Sequence, residues 1–221
     1  MSPEPVRIAA FDLDHTVVDC DSQALLVRFL SEKRLVPASL LIEVGGWFAL
    51  NRLGCRLDVP KIHARLLSRL SSIPRDALQH AIREFAQTRL APRIRRDAVD
   101  WMSRVRREGC HVLLLSASIA NIVALIADAT GADGYAATRA SFDRPGRLKV
   151  DGDMVYGEAK LQAMRAYADE RFPVWRLEYA FGNDYADRFL LTAAAHAIAV
   201  CPSTRLRALA ENEGWTSEVW Q

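Results

Sequence analysis

The stretch Val6-Arg-Ile-Ala-Ala-Phe-Asp-Leu-Asp-His-Thr16 predicts a buried strand that ends in two aspartates. Its apolar half is typical of a parallel strand covered on both faces, and its polar half is typical of the loop after such a strand. Asp12 and Asp14 are two residues apart, so their carboxylates point the same way if the strand continues. Concentrated negative charge is costly unless a cation or a proton offsets it. Taken alone, the pair fits a chemical site and a solvated loop with Asp14 as a helix cap equally well.

Three further apolar runs end in polar loops in the same way. They are 111–115, 177–181 and 197–200. Helical patterns alternate with these runs, and the predicted helices are 97–108, 121–130, 158–168, 187–195 and 204–212, the last capped by Ser203. This alternation predicts an α/β fold with a doubly wound parallel sheet. The polar loops are then expected at the carboxyl ends of the strands, where such sheets bind ligands.

The segment 20–92 interrupts the alternation because it contains no convincing strand. Apolar residues at helical spacing mark 60–70 and 76–90. We therefore expect a helical cap at 20–92, inserted into a core formed by 1–19 and 93–221. Within the cap, 38–50 is unusually apolar, which core packing explains most simply. The alternative is a hydrophobic pocket or a membrane-touching surface, which would suit a lipid phosphate.

The composition is that of a packed globular protein. Of 221 residues, 50% are hydrophobic and 25% are charged, which excludes a disordered or fibrous chain. The 29 basic and 27 acidic residues leave a net charge of +2, so no overall field favours nucleic acid or a membrane. The arginine-rich segment 83–107 is most simply a solvated helix face, and we expect no nucleic-acid partner.

The four cysteines, Cys20, Cys55, Cys110 and Cys201, lie far apart and have no zinc-type spacing. Such a distribution predicts reduced thiols rather than a disulfide framework. The first apolar run is too short for a signal peptide, and no apolar window is long enough to cross a bilayer. We therefore expect a cytoplasmic protein without a membrane span.

Three other segments supply what a phosphate site needs. Ser116 follows a predicted strand and precedes a predicted helix, so we expect it to offer a hydroxyl and nearby backbone N–H groups at a helix start. Lys160, near the start of its own helix, would neutralise a phosphate or a carboxylate. The loop 182–187 brings further oxygen ligands for a hard cation such as Mg²⁺. Each segment has an ordinary structural explanation, but their joint occurrence in this order favours a site.

Together these segments resemble the haloacid dehalogenase superfamily of phosphotransferases, more closely its phosphoserine-phosphatase-like branch, subfamily IB. Four motifs carry the resemblance: Phe11-Asp-Leu-Asp-His-Thr16, Leu113-Leu-Leu-Ser-Ala-Ser118, Gly157-Glu-Ala-Lys-Leu161 and Gly182-Asn-Asp-Tyr-Ala-Asp-Arg-Phe-Leu-Leu191. They span residues 11–191. The resemblance implies a Rossmann-like core with an inserted α-helical cap. It also implies a Mg²⁺-dependent phosphoric monoester hydrolase that acts on a small phosphorylated substrate.

The resemblance assigns a role to each matching residue. Asp12 would be the nucleophile that forms an aspartyl-phosphate, and Asp14 would be the general acid and base. The metal ligands would be Asp12, Asp14, Asn183 and Asp187. The substrate-binding residues would be Thr16, Asp21, Ser116, Ala117 and Lys160.

The sequence departs from the family pattern at several of these positions. His15 stands where glycine is commonest, and Asn183 stands where an aspartate usually ligates the metal. The amide removes one negative charge, which Asp184 could replace. Asp21 occupies the place of the glutamate that contacts the substrate amine in phosphoserine phosphatases, and Ala186 occupies the place of an asparagine. These differences argue against phosphoserine as the substrate.

Two alternative functions stay open. A phosphotransferase or phosphomutase would use the same catalytic residues and pass the phosphoryl group to a second hydroxyl instead of water. The missing carboxylate at Asn183 is also compatible with a non-catalytic module that binds phosphate in a regulatory role.

Overall fold

The computed structural model describes residues 4–52, 58–144 and 146–221, and the side chains of all of these except 48–52. The first strand is β1 (Val6–Asp12). The described helices between it and the second strand are α1 (Ser22–Glu32), α2 (Ser39–Arg52), α3 (Val59–Leu70), α4 (Arg75–Phe85) and α5 (Arg96–Arg107). A π-helical turn (Ala86–Leu90) and a 3₁₀ turn (Ala91–Arg93) join α4 to α5.

The remainder alternates strands and helices. The strands are β2 (Cys110–Ile119), β3 (Gly134–Thr138), β4 (Ala140–Phe142), β5 (Leu148–Val150), β6 (Trp175–Gly182), β7 (His196–Val200) and β8 (Thr216–Glu218). The helices are α6 (Ala120–Thr130), α7 (Glu158–Arg171), α8 (Arg188–Ala193) and α9 (Thr204–Glu213). A 3₁₀ turn at Tyr185–Asp187 precedes α8.

The described strands form a six-stranded parallel sheet in the order β3-β2-β1-β6-β7-β8, beside a small antiparallel pair of β4 and β5. Strand β1 is central, because Phe11 pairs with Leu114 of β2 on one side and with Phe181 of β6 on the other. The rings of Phe11 and Phe181 stack with their centroids 4.0 Å apart. The carboxyl ends of β1, β2 and β6 therefore lie next to one another.

Both faces of the sheet are covered by helices, which confirms the predicted doubly wound α/β fold. Alternate residues of β1 face opposite ways: Ala9 and Phe11 pack with the helices that follow β1, and Ile8 and Ala10 pack with α7, α8 and α9. The helices α1–α4 share one apolar cluster with the sheet. The insertion of helices between β1 and β2 agrees with a cap, while its boundaries at 20 and 92 stay a prediction.

Several predicted boundaries are wrong. Strand β2 runs to Ile119, so Ser116 lies within the strand, four residues before α6 begins at Ala120. The helix predicted at 187–195 is a 3₁₀ turn followed by the shorter α8. The helix predicted at 76–90 changes to π-helical hydrogen bonding after Phe85. The pattern did not reveal β3, β4, β5 or β8, because these strands are short and mostly half-exposed.

Two further observations bear on the expectations about cysteines and membranes. Cys20, Cys110 and Cys201 are free thiols, and Cys55 lies outside the described residues. Among the helices that the structure describes, none combines the length and apolar character that a bilayer span requires.

Burial lowers the pKa of His63 on α3 from 6.5 to about 4. Because the unfolded chain keeps the ordinary pKa, it takes up a proton at a higher pH than the folded protein. The free energy of unfolding is therefore greatest above about pH 6.5 and decreases by up to about 3 kcal/mol as the pH falls to about 4. We expect His63→Leu to remove this part of the acid sensitivity, as measured by urea unfolding across that pH range.

The matched control for this prediction is His80→Leu, because the side chain of His80 on α4 is 77% exposed. This variant should keep the pH dependence of the unmodified protein. An unchanged pH dependence in His63→Leu would contradict the prediction.

Candidate active site

The centre of the site is the carboxylate of Asp12, the last residue of β1. Asp12 is 5% exposed, and its two oxygens have different partners. Oδ1 accepts a hydrogen bond from the ammonium of Lys160 at 2.7 Å, and Oδ2 accepts one from the hydroxyl of Thr16 at 3.1 Å. The buried strand and these two contacts together fix the direction of the carboxylate.

Lys160 joins Asp12 to a second buried carboxylate. Its Nζ lies 2.7 Å from Asp12 Oδ1 and 2.5 Å from Asp187 Oδ1, and all three side chains are at least nine-tenths buried. The lysine is on the first turn of α7, directly after Gly157, whose φ of +61° and ψ of −128° suit glycine. One ammonium therefore stands between the end of β1 and the loop after β6.

The other oxygen of Asp187 organises the loop after β6. Oδ2 accepts the backbone N–H groups of Asn183 at 3.1 Å and of Asp184 at 3.0 Å. Gly182 makes room for this side chain, because a Cβ there would lie 2.7 Å from the Cβ of Asp187. Both oxygens of Asp187 thus have partners, one in Lys160 and one in the loop backbone.

Burial and neighbouring charge shift the pKa values of the group. Burial raises the pKa of Asp12, and the charge of Lys160 offsets part of this increase. The charge of Asp187 raises the pKa further, to about 7. Burial alone would lower the pKa of Lys160, but the carboxylates of Asp12 and Asp187 raise it well above its usual range. The lysine is therefore charged, and its charge compensates a cluster in which negative charge is in excess.

Asp14 faces the start of α1. Its Oδ1 accepts the backbone N–H of Ser22 at 2.9 Å, and Asp21 caps the same helix by accepting the N–H of Ala24 at 2.7 Å. Burial, followed by the charges of Asp21 and Asp12, raises the pKa of Asp14 to about 8. Burial also raises the pKa of Asp21. A carboxyl group with a pKa near neutrality is suited to donate and accept a proton at physiological pH.

The end of β2 is held by hydrogen bonds of its own. Ser116 is 1% exposed, and its hydroxyl oxygen accepts the N–H of Ser118 at 3.0 Å. The carbonyl of Ala117 accepts the hydroxyl of Thr138 at 2.8 Å, and the oxygen of that hydroxyl accepts the N–H of Val155 at 3.1 Å. The expectation that Ser116 stands at a helix start is wrong, so its backbone does not supply helix N-terminal N–H groups.

The structure thus brings Asp12, Thr16, Lys160 and Asp187 into direct contact, and it places Asp14 and Asp21 at the start of α1. Comparison with known proteins identifies the family of the chain. Residues 9–192 match the family model described as haloacid dehalogenase-like hydrolase. The chain belongs to this hydrolase family.

Relatives of this hydrolase agree with the assignment. A Mycobacterium tuberculosis protein described as a "probable phosphatase" is 27% identical over 220 residues, which cover 97% of this hydrolase and 75% of the relative. A Bordetella pertussis Tohama I protein of unknown function shares the fold with a TM-score of 0.85 and 24% identity, over 97% and 98% of the two chains.

A phosphoserine phosphatase, solved as an analogue of its phospho-aspartyl intermediate, also shares the fold. Its TM-score is 0.69 at 21% identity, with coverage of 93% of this hydrolase and 91% of that chain. The family predicted from the four motifs is confirmed, and the fold is that of the phosphoserine-phosphatase-like branch.

The donors present are compatible with a hard cation. The carboxylate of Asp12, the backbone carbonyl of Asp14 and the side-chain amide of Asn183 all offer oxygen, which Mg²⁺ prefers. The ion pairs of Asp12 and Asp187 within the described residues are both made with Lys160. Across residues 4–52, 58–144 and 146–221, no three His, Cys, Asp or Glu side chains cluster closely enough to hold a metal by themselves. A cation would therefore need carbonyl or amide oxygens as well.

Two residues near the site escaped the sequence analysis. Thr138 ends the alanine-rich strand β3, which has no recognisable apolar run. Tyr156 lies two residues before the start of α7, and burial, followed by the charges of Asp184 and Asp187, raises the pKa of its hydroxyl.

We expect Gly182→Ala to displace Asp187, because the new methyl group would overlap its Cβ. The free energy of unfolding should decrease by roughly 1 to 3 kcal/mol, as for other overpacked sites, and any phosphatase activity should decrease with it. Urea unfolding and an activity assay measure the two effects.

Gly46→Ala is the control, since a Cβ at Gly46 on α2 meets no atom within 4 Å. It should stabilise the helix by roughly 0.5 to 1 kcal/mol. The close approach of Gly182 to Asp187 would be refuted if Gly182→Ala were equally harmless.

Proposed function

We propose that this hydrolase is a Mg²⁺-dependent phosphatase that cleaves small phosphomonoesters through an aspartyl-phosphate on Asp12. The observation that carries the proposal is the Asp12 carboxylate at the end of the central strand, oriented by Lys160 and Thr16. The related Mycobacterium tuberculosis protein described as a probable phosphatase supports this function. So does the phosphoserine phosphatase that was solved as a phospho-aspartyl intermediate analogue.

The first step forms the covalent intermediate. A carboxylate oxygen of Asp12 attacks phosphorus, and the bond between phosphorus and the ester oxygen breaks. Asp14, protonated at the start because of its raised pKa, gives its proton to the leaving oxygen. The products of this step are the free alcohol and phospho-Asp12.

The second step regenerates the enzyme. Water attacks the phosphorus of phospho-Asp12 and gives a proton to the Asp14 carboxylate, while the bond between phosphorus and the Asp12 oxygen breaks. Inorganic phosphate leaves, and both aspartates return to their starting states. In this mechanism water accepts the phosphoryl group, whereas a phosphotransferase or phosphomutase with the same residues would pass it to a second hydroxyl.

Electrostatic compensation is the main task of the surrounding residues. An anionic nucleophile that approaches an anionic phosphate to about 4 Å is repelled by roughly 4 kcal/mol at an effective dielectric constant of 20. Lys160 offsets this repulsion, and Mg²⁺, when bound by Asp12, the Asp14 carbonyl and Asn183, would neutralise charge on the transferring group. The partners of Asp187 favour it as the residue that positions Lys160 and the loop, and not as a direct metal ligand.

The remaining predicted residues would hold the substrate. The hydroxyl of Ser116 and the backbone at Ala117 would donate to phosphate oxygens. The hydroxyl of Thr16, which donates to Asp12 Oδ2 in this structure, would have to turn from Asp12 to donate to the phosphate. Asp21, at the start of α1, would contact the leaving group. Its carboxylate already accepts the N–H of Ala24, so its reach toward a substrate is restricted.

The proposal predicts that Asp12→Asn lacks Mg²⁺-dependent hydrolysis of p-nitrophenyl phosphate, with a loss on the order of a thousandfold or more in kcat. Asparagine preserves the shape but cannot form the acyl phosphate. The released p-nitrophenol measures the rate, and circular dichroism verifies the fold.

Asp19→Asn is the matched control, because Asp19 is exposed and pairs only with Arg93 among the described residues. It should keep full activity. Equal background rates in the unmodified protein and in Asp12→Asn would favour the phosphate-binding module instead of the enzyme.

The amide at position 183 predicts a weak metal site. Asn183→Asp restores a negative charge and should lower the Mg²⁺ concentration for half-maximal activity by about tenfold, equivalent to about 1.4 kcal/mol. Asp184→Asn should leave it nearly unchanged, because Asp184 caps the 3₁₀ turn through Ala186 N–H. If Asp184→Asn changed the Mg²⁺ requirement and Asn183→Asp did not, Asp184 would be the metal ligand.

A further inference from the structure

A cluster of two arginines and one tyrosine lies beside the loop that contains Asn183 and Asp187. The guanidinium carbon of Arg205 on α9 is 3.6 Å from the centre of the Tyr185 ring, and that of Arg188 on α8 is 4.4 Å from the same centre. The two positive groups are therefore within about 8 Å of each other. We call this group the Arg188–Tyr185–Arg205 cluster.

Among the described residues, no carboxylate forms an ion pair with the arginines of this cluster. Neither Arg188 nor Arg205 forms an ion pair with an acidic side chain in the described part of the chain, whose gaps contain no aspartate or glutamate. Arg188 donates from Nη1 to the carbonyl of Tyr185 at 3.0 Å, which holds the side chain in place. The neighbouring carboxylate of Asp184 is directed to the N–H of Ala186.

The cluster lies at the rim of the catalytic site. Arg188 directly follows Asp187, whose carboxylate contacts Lys160. The backbone carbonyl of Asn183 accepts the N–H of Ser203, and this hydrogen bond brings the start of α9 against the same loop. Tyr185, which contacts both guanidinium groups, lies on the same 3₁₀ turn as Asp187. A small molecule bound at Lys160 would thus lie next to the turn that leads into Arg188.

We propose that Arg188 and Arg205 form a second anion-binding subsite, which recognises an additional acidic group on the phosphorylated substrate. This inference rests on the proposed function, since it assigns the substrate's phosphoryl group to Asp12 and Lys160. Guanidinium groups bind carboxylate and phosphate with paired hydrogen bonds, and stacking on Tyr185 keeps the planar groups oriented. The favoured substrate class is therefore a phosphorylated acid or a bisphosphate, in preference to a neutral phosphomonoester.

Binding measurements on the Asp12→Asn variant test this inference without turnover. Calorimetry compares glycerol 3-phosphate with 3-phosphoglycerate, which carries a carboxylate in place of a hydroxymethyl group. A second pair, fructose 6-phosphate and fructose 1,6-bisphosphate, tests phosphate as the additional group. We expect the more acidic member of at least one pair to bind about tenfold more tightly, and the better pair identifies the acidic group.

The variants Arg188→Gln and Arg205→Gln, singly and combined, should reduce this preference, and the combined variant should leave less than about twofold. Arg207→Gln removes the same charge from an exposed position of α9 and should preserve the preference. If the combined variant does not fold, as shown by circular dichroism, Arg205→Gln alone decides, because the Arg205 side chain is exposed.

Three outcomes would overturn the subsite: equal binding within both pairs, a preference that survives the loss of both arginines, or an equal loss in Arg207→Gln. A different result would contradict the proposed function. If unmodified protein does not hydrolyse p-nitrophenyl phosphate but the arginine-dependent preference is found, the anion subsite stands and the phosphatase does not.

Discussion

The ammonium of Lys160, shared between the buried carboxylates of Asp12 and Asp187, is the contact on which the arrangement of the site depends. These residues come from α7, from the end of β1 and from the turn after β6. Removing one partner of a buried ion pair commonly costs about 3 to 5 kcal/mol, because the remaining charge is left uncompensated. The lysine therefore sets the direction of Asp12, and through Asp187 it also sets the path of the loop that carries Asn183.

Much of this arrangement could be predicted from the sequence. The apolar runs that became β1, β2, β6 and β7 are buried on both faces, so their composition alone marks them as parallel strands. Since parallel strands end at the same edge, placing Asp12, Ser116 and the loop 182–187 after such runs predicted their proximity. The four motifs then predicted the family, which the match over residues 9–192 confirms.

The details that could not be predicted depend on contacts between distant segments. Nothing in the spacing of Asp187 distinguishes a metal ligand from a residue whose oxygens are taken by Lys160 and two backbone N–H groups. The position of Ser116 inside β2 depends on pairing with β3, a strand too short and too rich in alanine to be predicted. The Arg188–Tyr185–Arg205 cluster joins α8 to α9 and has no motif at all.

The hydroxyl of Thr138 makes the edge strand β3 a link between two segments near the site. It donates to the Ala117 carbonyl and accepts the Val155 N–H, so a single oxygen connects the end of β2 with the segment that leads into α7. The spacing between the end of β2, which carries Ser116, and the segment before Lys160 is consequently set by a strand that contributes no residue to the ion-paired group. Residue choice at Thr138 is therefore restricted to side chains that are both donor and acceptor and small enough for a buried position.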